Sequence, residues 1–238
     1  MNYFRPFFTI TALTLAAGGS AWSQTGFPWQ SESLKYMMSW QSGLNVGEAS
    51  LVARKSGDLW DFEANVNAGV PGFFVSDAIR SSATQSLCST ELERDFSHGA
   101  KKTREKTVFD QKAGTAVRTT LVPDGGTVPG KSSFEIPSCA RDALTFLYYA
   151  RVELGQGRMV PPQSVFFGSA YNVKMDYTGP MNIMVNKKTT ITDHLIVTVK
   201  GPKADFHFEV FYARDPARTP LQILLPLSVG TFTLDLVR

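Results

Sequence analysis

The sequence predicts a mainly β domain, an antiparallel meander curled into a barrel or half-barrel around one buried α-helix at about 138–154. Three observations predict this fold class. Most of the chain alternates apolar and polar residues with a period of two, short turn sequences separate these runs, and one segment changes to helical spacing. A sheet with so many strands is expected to curl, because wide twisted sheets do not remain flat.

The composition is that of one globular domain. The 238 residues are 43% hydrophobic and 19% charged, which excludes disordered, collagen-like and polytopic membrane proteins. With 24 basic and 21 acidic residues the net charge is only +3, too balanced to indicate nucleic-acid binding. We therefore expect no nucleic-acid partner.

The N-terminus has the organisation of a secretory signal peptide. Arg5 supplies a positive charge, and residues 6–17 form an apolar stretch that is too short to span a bilayer. Residues 21–23 (Ala-Trp-Ser) then place small side chains at the two positions that a signal peptidase recognises.

We expect cleavage before Gln24, with cleavage after Ala21 as the alternative. This divides the chain into a signal peptide at 1–23 and a single β-rich domain at 24–238. No later stretch is long and apolar enough to span a membrane as a helix. The expected location of the mature protein is periplasmic or secreted, with no transmembrane segment.

Twelve runs have the alternation of half-buried strands. They are 34–40, 48–54, 59–66, 73–84, 92–97, 103–109, 115–122, 169–177, 189–199, 204–212, 221–225 and 230–237. In the run 204–212 the apolar face carries Phe206, Phe208, Val210 and Tyr212. Turn residues such as Gly, Asp and Pro separate most of the runs, which is typical of a meander.

The predicted helix begins and ends at recognisable residues. Ser138 follows Pro137 and is the expected N-cap, and Gly155 is the expected stop. Phe146 and Tyr149 make the middle of the helix apolar on nearly every side, which predicts burial against the concave face of the sheet.

Two charged residues lie in this apolar helix. Asp142 and Arg151 are nine positions apart, too far for a pair on one helix. Each is therefore expected to cap the helix or to bond to the sheet, and if buried each must have a partner.

Cys88 and Cys139 are the only cysteines. In an oxidising compartment such a pair most simply forms a disulfide, which on the chain-entropy model contributes roughly 4 kcal/mol. A redox or metal-binding pair is the alternative, but there is no C-x-x-C spacing to support it.

Several segments follow one another in a characteristic order, namely 34–40 with 43–49, 72–77, 142–151, 213–215, 219–221 and 229–230. The helix pattern Asp-x-Leu-x-x-Leu-Tyr-Tyr-x-Arg at 142–151 is the most specific of them. This order of features resembles the exported bacterial family called domain of unknown function 3108. The resemblance implies a barrel-like exported protein, similar to periplasmic lipoprotein-carrier folds, and implies no activity; the cysteine pair is not part of it.

Catalytic and metal-binding patterns are weak. Adjacent strands could bring His194 and His207 together, but two exposed histidines on polar strand faces are the favoured interpretation. There is no nucleophile elbow and no dinucleotide loop, so we name no catalytic residue and expect neither a cofactor nor a metal. Paired carboxylates are defined by a distance, so a hydrolase stays open as the third hypothesis.

Aromatic residues suggest a ligand cavity, although ordinary core filling explains them equally well. The candidate lining residues are Phe73, Phe74, Phe146, Tyr148, Tyr149 and Phe167. The leading hypothesis is non-catalytic binding of a lipid or other apolar small molecule of the cell envelope. The alternative is an envelope assembly or scaffold protein that docks a protein partner through a sheet edge or through Phe73 and Phe74.

Overall fold

A computed structural model describes residues 31–70, 72–122, 130–202, 205–227 and 230–237. The predicted signal peptide at 1–23 lies outside these residues. The strands are β1 (Ser31–Trp40), β2 (Asn45–Ser56), β3 (Leu59–Val70), β4 (Phe73–Thr84), β5 (Ser89–His98), β6 (Lys101–Asp110), β7 (Thr115–Val122), β8 (Lys131–Glu135), β9 (Arg141–Asp142), β10 (Gln163–Phe166), β11 (Ala170–Val185), β12 (Lys188–Lys200), β13 (Asp205–Ala213), β14 (Pro220–Leu227) and β15 (Gly230–Val237). The helix α1 spans Ala143–Gly155.

All of these strands belong to one 15-stranded sheet, which confirms the predicted mainly β, antiparallel architecture. Its order is β8-β7-β6-β5-β4-β3-β2-β1-β15-β14-β13-β12-β11-β10-β9. Neighbouring strands are antiparallel except for the short parallel pair of β9 and β10. The first and last strands, β1 and β15, pair with each other in the middle of the sheet, with Tyr36 opposite Leu236.

The strand predictions hold best where alternation is long. The bounds of β4, β7 and β15 are those predicted, whereas β8, β9 and β10 were missed because they have only five, two and four residues. The strand β11 continues to Val185 instead of ending at Tyr177. It passes Gly179 and Pro180 through an irregularity in its pairing between Tyr177 and Gly179.

The expected closure into a barrel is not observed. Among the described strands the two edges, β8 and β9, do not pair with each other. The edges are nevertheless joined by residues 136–140, a connection that reaches at most roughly 20 Å. Fifteen strands laid flat would be roughly 67 Å wide, so the sheet has to bend.

Hydrogen bonds and a disulfide fix the connection between the edges. The Ser89 amide donates to the Ala140 carbonyl at 3.0 Å, and the Gln111 side chain bonds to both residues. Beside them Cys88 and Cys139 form the predicted disulfide, with their Cα atoms 4.6 Å apart. The start of β5 is thus linked to the segment that leads into β9.

The helix begins four residues later than the prediction and uses a different N-cap. Its cap is Asp142, not Ser138, and its first residue is Ala143. Cys139 has a left-handed backbone with φ of 55°, so the helix cannot start before it. At the other end Gly155 is the last helical residue. Gly157 has a left-handed backbone conformation, which is common just after the end of a helix.

The helix is buried against the concave face of the sheet, as predicted. On one side Tyr148 stacks on Phe62 of β3 with ring centroids 4.3 Å apart. On the other side Phe146 and Ala150 belong to a core cluster with Val210 of β13. The half of the sheet from β8 to β1 and the half from β15 to β9 therefore both pack against this helix.

Arg151 is the most buried charged side chain of the helix. Its Nη atoms donate to both carboxylate oxygens of Glu32 at 2.6 and 2.7 Å, and its Nε donates to the carbonyls of Ala217 and Arg218. Burial lowers the pKa of Arg151, but the bonds and charge of Glu32 outweigh this and raise it. Asp142 and Arg151 are both buried, and each has partners of its own outside the helix, which confirms the expectation.

Reducing the disulfide should destabilise the protein. On the chain-entropy model, removing a bridge with a separation of 51 residues lowers the free energy of unfolding by about 4 kcal/mol. We expect the Cys88→Ser/Cys139→Ser double variant to show this loss in urea unfolding, and thiol titration of denatured, unreduced wild type to find no free sulfhydryl. Two free thiols would refute the bridge.

Candidate ligand-binding cavity

A cavity of about 600 Å³ lies between the helix and the second half of the sheet. The helix contributes Phe146 and Leu147, and the sheet contributes side chains from β10 to β15, such as Val199 and Phe208, together with Ile79 of β4. Among the described residues that line this cavity none is charged. The site is therefore an apolar pocket that is open to solvent.

Strand alternation produces the cavity wall. In β13 every second residue faces the helix, so Phe206, Phe208, Val210 and Tyr212 all line the pocket. The exposed fraction falls from 36% at Phe206 to 1% at Tyr212. The pocket is therefore open at the Phe206 end of the strand and closed at the Tyr212 end, where burial raises the pKa of Tyr212 to about 12.

Two of the six predicted lining residues, Phe146 and Phe167, line this cavity. Tyr148 lies fully buried on the opposite side of the helix, against Phe62. The Arg141 guanidinium lies over the ring of Tyr149, 3.6 Å from the ring centroid. Neither tyrosine is among the residues that form the pocket wall.

Phe73 and Phe74 belong to the hairpin of β3 and β4. The Phe74 ring is 71% exposed and lies over Gly69, its partner across the hairpin, where a Cβ would overlap the ring. Of Phe73 the structure describes the backbone position at the start of β4. Phe74 is not among the residues that line the cavity.

Much of the cavity wall consists of residues that alternate along strands and are not among the six predicted lining residues. The sequence predicts Phe206 and Phe208 only as part of one apolar strand face, whereas most of the predicted lining residues belong to adjacent aromatic pairs. Adjacent residues point to different sides of a strand or helix, so such pairs seldom line one pocket. The usable signal was the period-two series of β13.

Asp142 anchors the helix at the cavity. Its carboxylate accepts hydrogen bonds from the hydroxyls of Ser81, Ser89 and Thr145 at 2.5, 2.6 and 2.9 Å. It also caps the amides of Leu144 and Thr145 at 2.9 and 3.1 Å. Complete burial raises the pKa of Asp142, although these hydrogen bonds oppose the shift.

Two arginines lie at the turn between β10 and β11. The Arg94 guanidinium is 4.7 Å from the Phe167 ring centroid, packs against Gly168 and contacts the Glu105 carboxylate. Arg118 donates a hydrogen bond to the Gly168 carbonyl. Because Phe167 is part of the cavity wall, the two arginines that contact this turn lie beside the cavity. We call Arg94 and Arg118 the arginine rim.

The histidines do not come together. His194 is buried, stacks on Phe211 and bonds to Glu209 and Thr178 at 2.7 and 2.5 Å, so the interpretation of it as exposed is wrong. His207 is exposed and pairs in register with Thr198 instead. The described residues contain no group of three or more His, Cys, Asp or Glu side chains arranged to hold a metal ion.

The fold and the cavity define a protein built from one large antiparallel sheet that holds a buried helix beside an apolar pocket. A family model described as "Protein of unknown function (DUF3108)" matches residues 35–237, and the chain belongs to this family. A comparison with curated proteins finds no match. Within the part of the chain that the structure describes, no helix has the length and apolar character needed to cross a membrane.

The raised pKa of Asp142 makes the free energy of unfolding depend on pH. Because burial raises its pKa, the stability contributed by the neutral carboxyl is complete below the ordinary pKa of about 4 and is lost as pH rises through the raised value. Asp142→Asn keeps a capping oxygen and does not ionise. We therefore expect its free energy of unfolding, relative to wild type, to increase with pH above about 4 in urea titrations.

Two further variants complete this test. Asp142→Ala should lose about 2–4 kcal/mol, because the cap is removed and buried hydroxyls are left without an acceptor. Asp215→Asn changes an exposed carboxylate and serves as the control. A pH-independent difference between Asp142→Asn and wild type would contradict the raised pKa.

Proposed function

We propose that this protein is exported and binds a lipid-like or other apolar component of the cell envelope in its cavity, without catalysis. The observation that carries the proposal is the apolar pocket of about 600 Å³ between helix and sheet. Its volume is within the range of roughly 300–1,000 Å³ that small-molecule sites occupy. The bent sheet then works as a half-barrel that surrounds the ligand.

The lining supports an alkyl or other apolar ligand body. A charged or strongly polar group placed against Phe208, Val199 and Leu225 would lose its hydration and gain no partner. Each methylene removed from water contributes about 0.8 kcal/mol. The affinity of such a site therefore depends mainly on how much alkyl surface it covers.

Export is supported by the N-terminal sequence and by the disulfide. Residues 6–17 have the length and apolarity of a signal segment. The bond between Cys88 and Cys139 is of the kind that persists in oxidising compartments. A periplasmic or secreted location places the pocket where envelope lipids are available as ligands.

The first test of the pocket varies the length of the ligand's alkyl chain. We expect the purified protein to bind a neutral naphthylamine dye whose fluorescence rises in apolar surroundings, and linear alcohols to displace it. Dodecanol should bind about tenfold more tightly than decanol, because two more methylenes are buried. Equal affinities for the two alcohols, or no dye binding, would contradict the proposal.

A pair of variants on one strand locates the binding. Val199→Trp places a large ring in the cavity and should reduce dye binding, whereas Thr198→Trp puts the same ring on the opposite face of β12. Thermal unfolding of both variants checks that the fold is kept. Loss of dye binding in Thr198→Trp alone would place the dye on the outer face of the sheet.

The export proposal has a separate test. When the full chain is expressed in a bacterium with two membranes, the mature protein should appear in the periplasmic fraction and begin at Gln24, or at Trp22 if cleavage follows Ala21. Leu13→Arg interrupts the apolar segment and should keep the uncleaved chain in the cytoplasm. Uncleaved wild type in the cytoplasm would refute export.

A further inference from the structure

We propose that the ligand of the cavity is an anionic amphiphile, with its alkyl part in the pocket and its carboxylate or phosphate headgroup against the arginine rim. This inference rests on the proposed function and names the class of ligand. It is carried by the position of Arg94 and Arg118, by their charge and by the donors that Arg118 has available.

The arginine rim adjoins the cavity wall. Arg94 is the register partner of Ile79, and Ile79 lines the pocket. The Arg94 guanidinium also lies over the ring of Phe167, another lining residue, at 4.7 Å. A headgroup at the rim is therefore next to an alkyl chain inside the pocket.

The rim is at the open end of the pocket. The turn between β10 and β11, which contains Phe167, and the turn between β12 and β13 lie at the same end of the sheet, because Asn172 pairs with Lys200 and Lys200 with Asp205. Phe206, the most exposed residue of the β13 wall, follows directly after Asp205. A ligand that enters with its alkyl end first leaves its headgroup at this end.

The charge of the rim is positive. Arg94 and Glu105 are direct partners across β5 and β6 and form a half-buried ion pair, so their charges balance. Arg118 contacts no carboxylate among the described residues and contributes the remaining positive charge. The rim thus attracts an anion and not a cation.

The Arg118 guanidinium has N–H donors for the headgroup of a ligand. A guanidinium carries five N–H donors in a planar fork that matches carboxylate and phosphate oxygens. One Nη1 donor is used by the Gly168 carbonyl, and the side chain is partly exposed. The bond to Gly168 fixes the guanidinium next to Phe167 in advance of binding, which lowers the entropy cost of capturing a headgroup.

The experiment measures displacement of the neutral dye by four dodecyl compounds with different headgroups. Wild type should bind tridecanoate, which joins a dodecyl chain to a carboxylate, and dodecyl phosphate about tenfold more tightly than dodecanol, and dodecyltrimethylammonium most weakly. Comparing the first two compounds distinguishes carboxylate from phosphate recognition. Inorganic phosphate alone should not displace the dye, because it buries no alkyl surface.

Arg118→Gln keeps a donor for the Gly168 carbonyl and removes the charge, so it separates headgroup binding from support of the turn. It should weaken the two anionic compounds by about tenfold and leave dodecanol unchanged. Arg104→Gln is the matched control, since Arg104 is exposed on the opposite face of β6. It should bind all four compounds like wild type.

The outcomes separate the two proposals. If dodecanol and the dye bind but the anions gain nothing over dodecanol, the headgroup inference is wrong and the proposed function stands. If Arg118→Gln weakens every compound equally, the arginine only supports the wall, and the inference is again overturned. If neither dye nor dodecanol binds, the proposed function fails and the inference fails with it.

Discussion

The short connection between the two edge strands is the constraint on which the rest of this structure depends. Residues 136–140 join β8 to β9, so the ends of a 15-stranded sheet are held within roughly 20 Å of each other. The sheet must bend, and the bend gives it a concave face. Because the helix follows β9 directly, it lies on that face. The disulfide between Cys88 and Cys139 fixes the segment that leads into β9 and the helix.

Charged residues at both ends of the helix explain why the cavity beside it does not collapse. Asp142 fixes the first turn to Ser81 and Ser89, while Arg151 fixes the last turns to Glu32 at the start of the sheet. Both side chains are buried, and moving the helix towards β13 would separate them from partners that they cannot replace. Such buried polar contacts fix position more than they add stability.

The sequence predicted the parts of this fold that repeat over many residues and missed those that depend on single contacts. Alternation over nine residues identified β13 and, with it, one strand of the cavity wall, the four lining residues Phe206, Phe208, Val210 and Tyr212. A two-residue strand such as β9 has no period to detect. The N-cap was misplaced because nothing local shows that Cys139 adopts a left-handed backbone, which the edge connection requires. Tyr148 and Phe146, two positions apart on one helix, face opposite halves of the sheet, and only the bend decides which of them meets a cavity.

In the function that we propose, the cavity and the arginine rim set different properties of the same ligand. The apolar wall from Tyr212 to Phe206 offers little that distinguishes one alkyl chain from another, so it sets affinity through length. A charged group cannot enter this wall without losing hydration, so it must remain at the open end. That end contains Arg118, held by the Gly168 carbonyl. The proposed orientation of the ligand therefore follows from the closed end at Tyr212 and the positive charge at the open end, before any specific contact with the ligand forms.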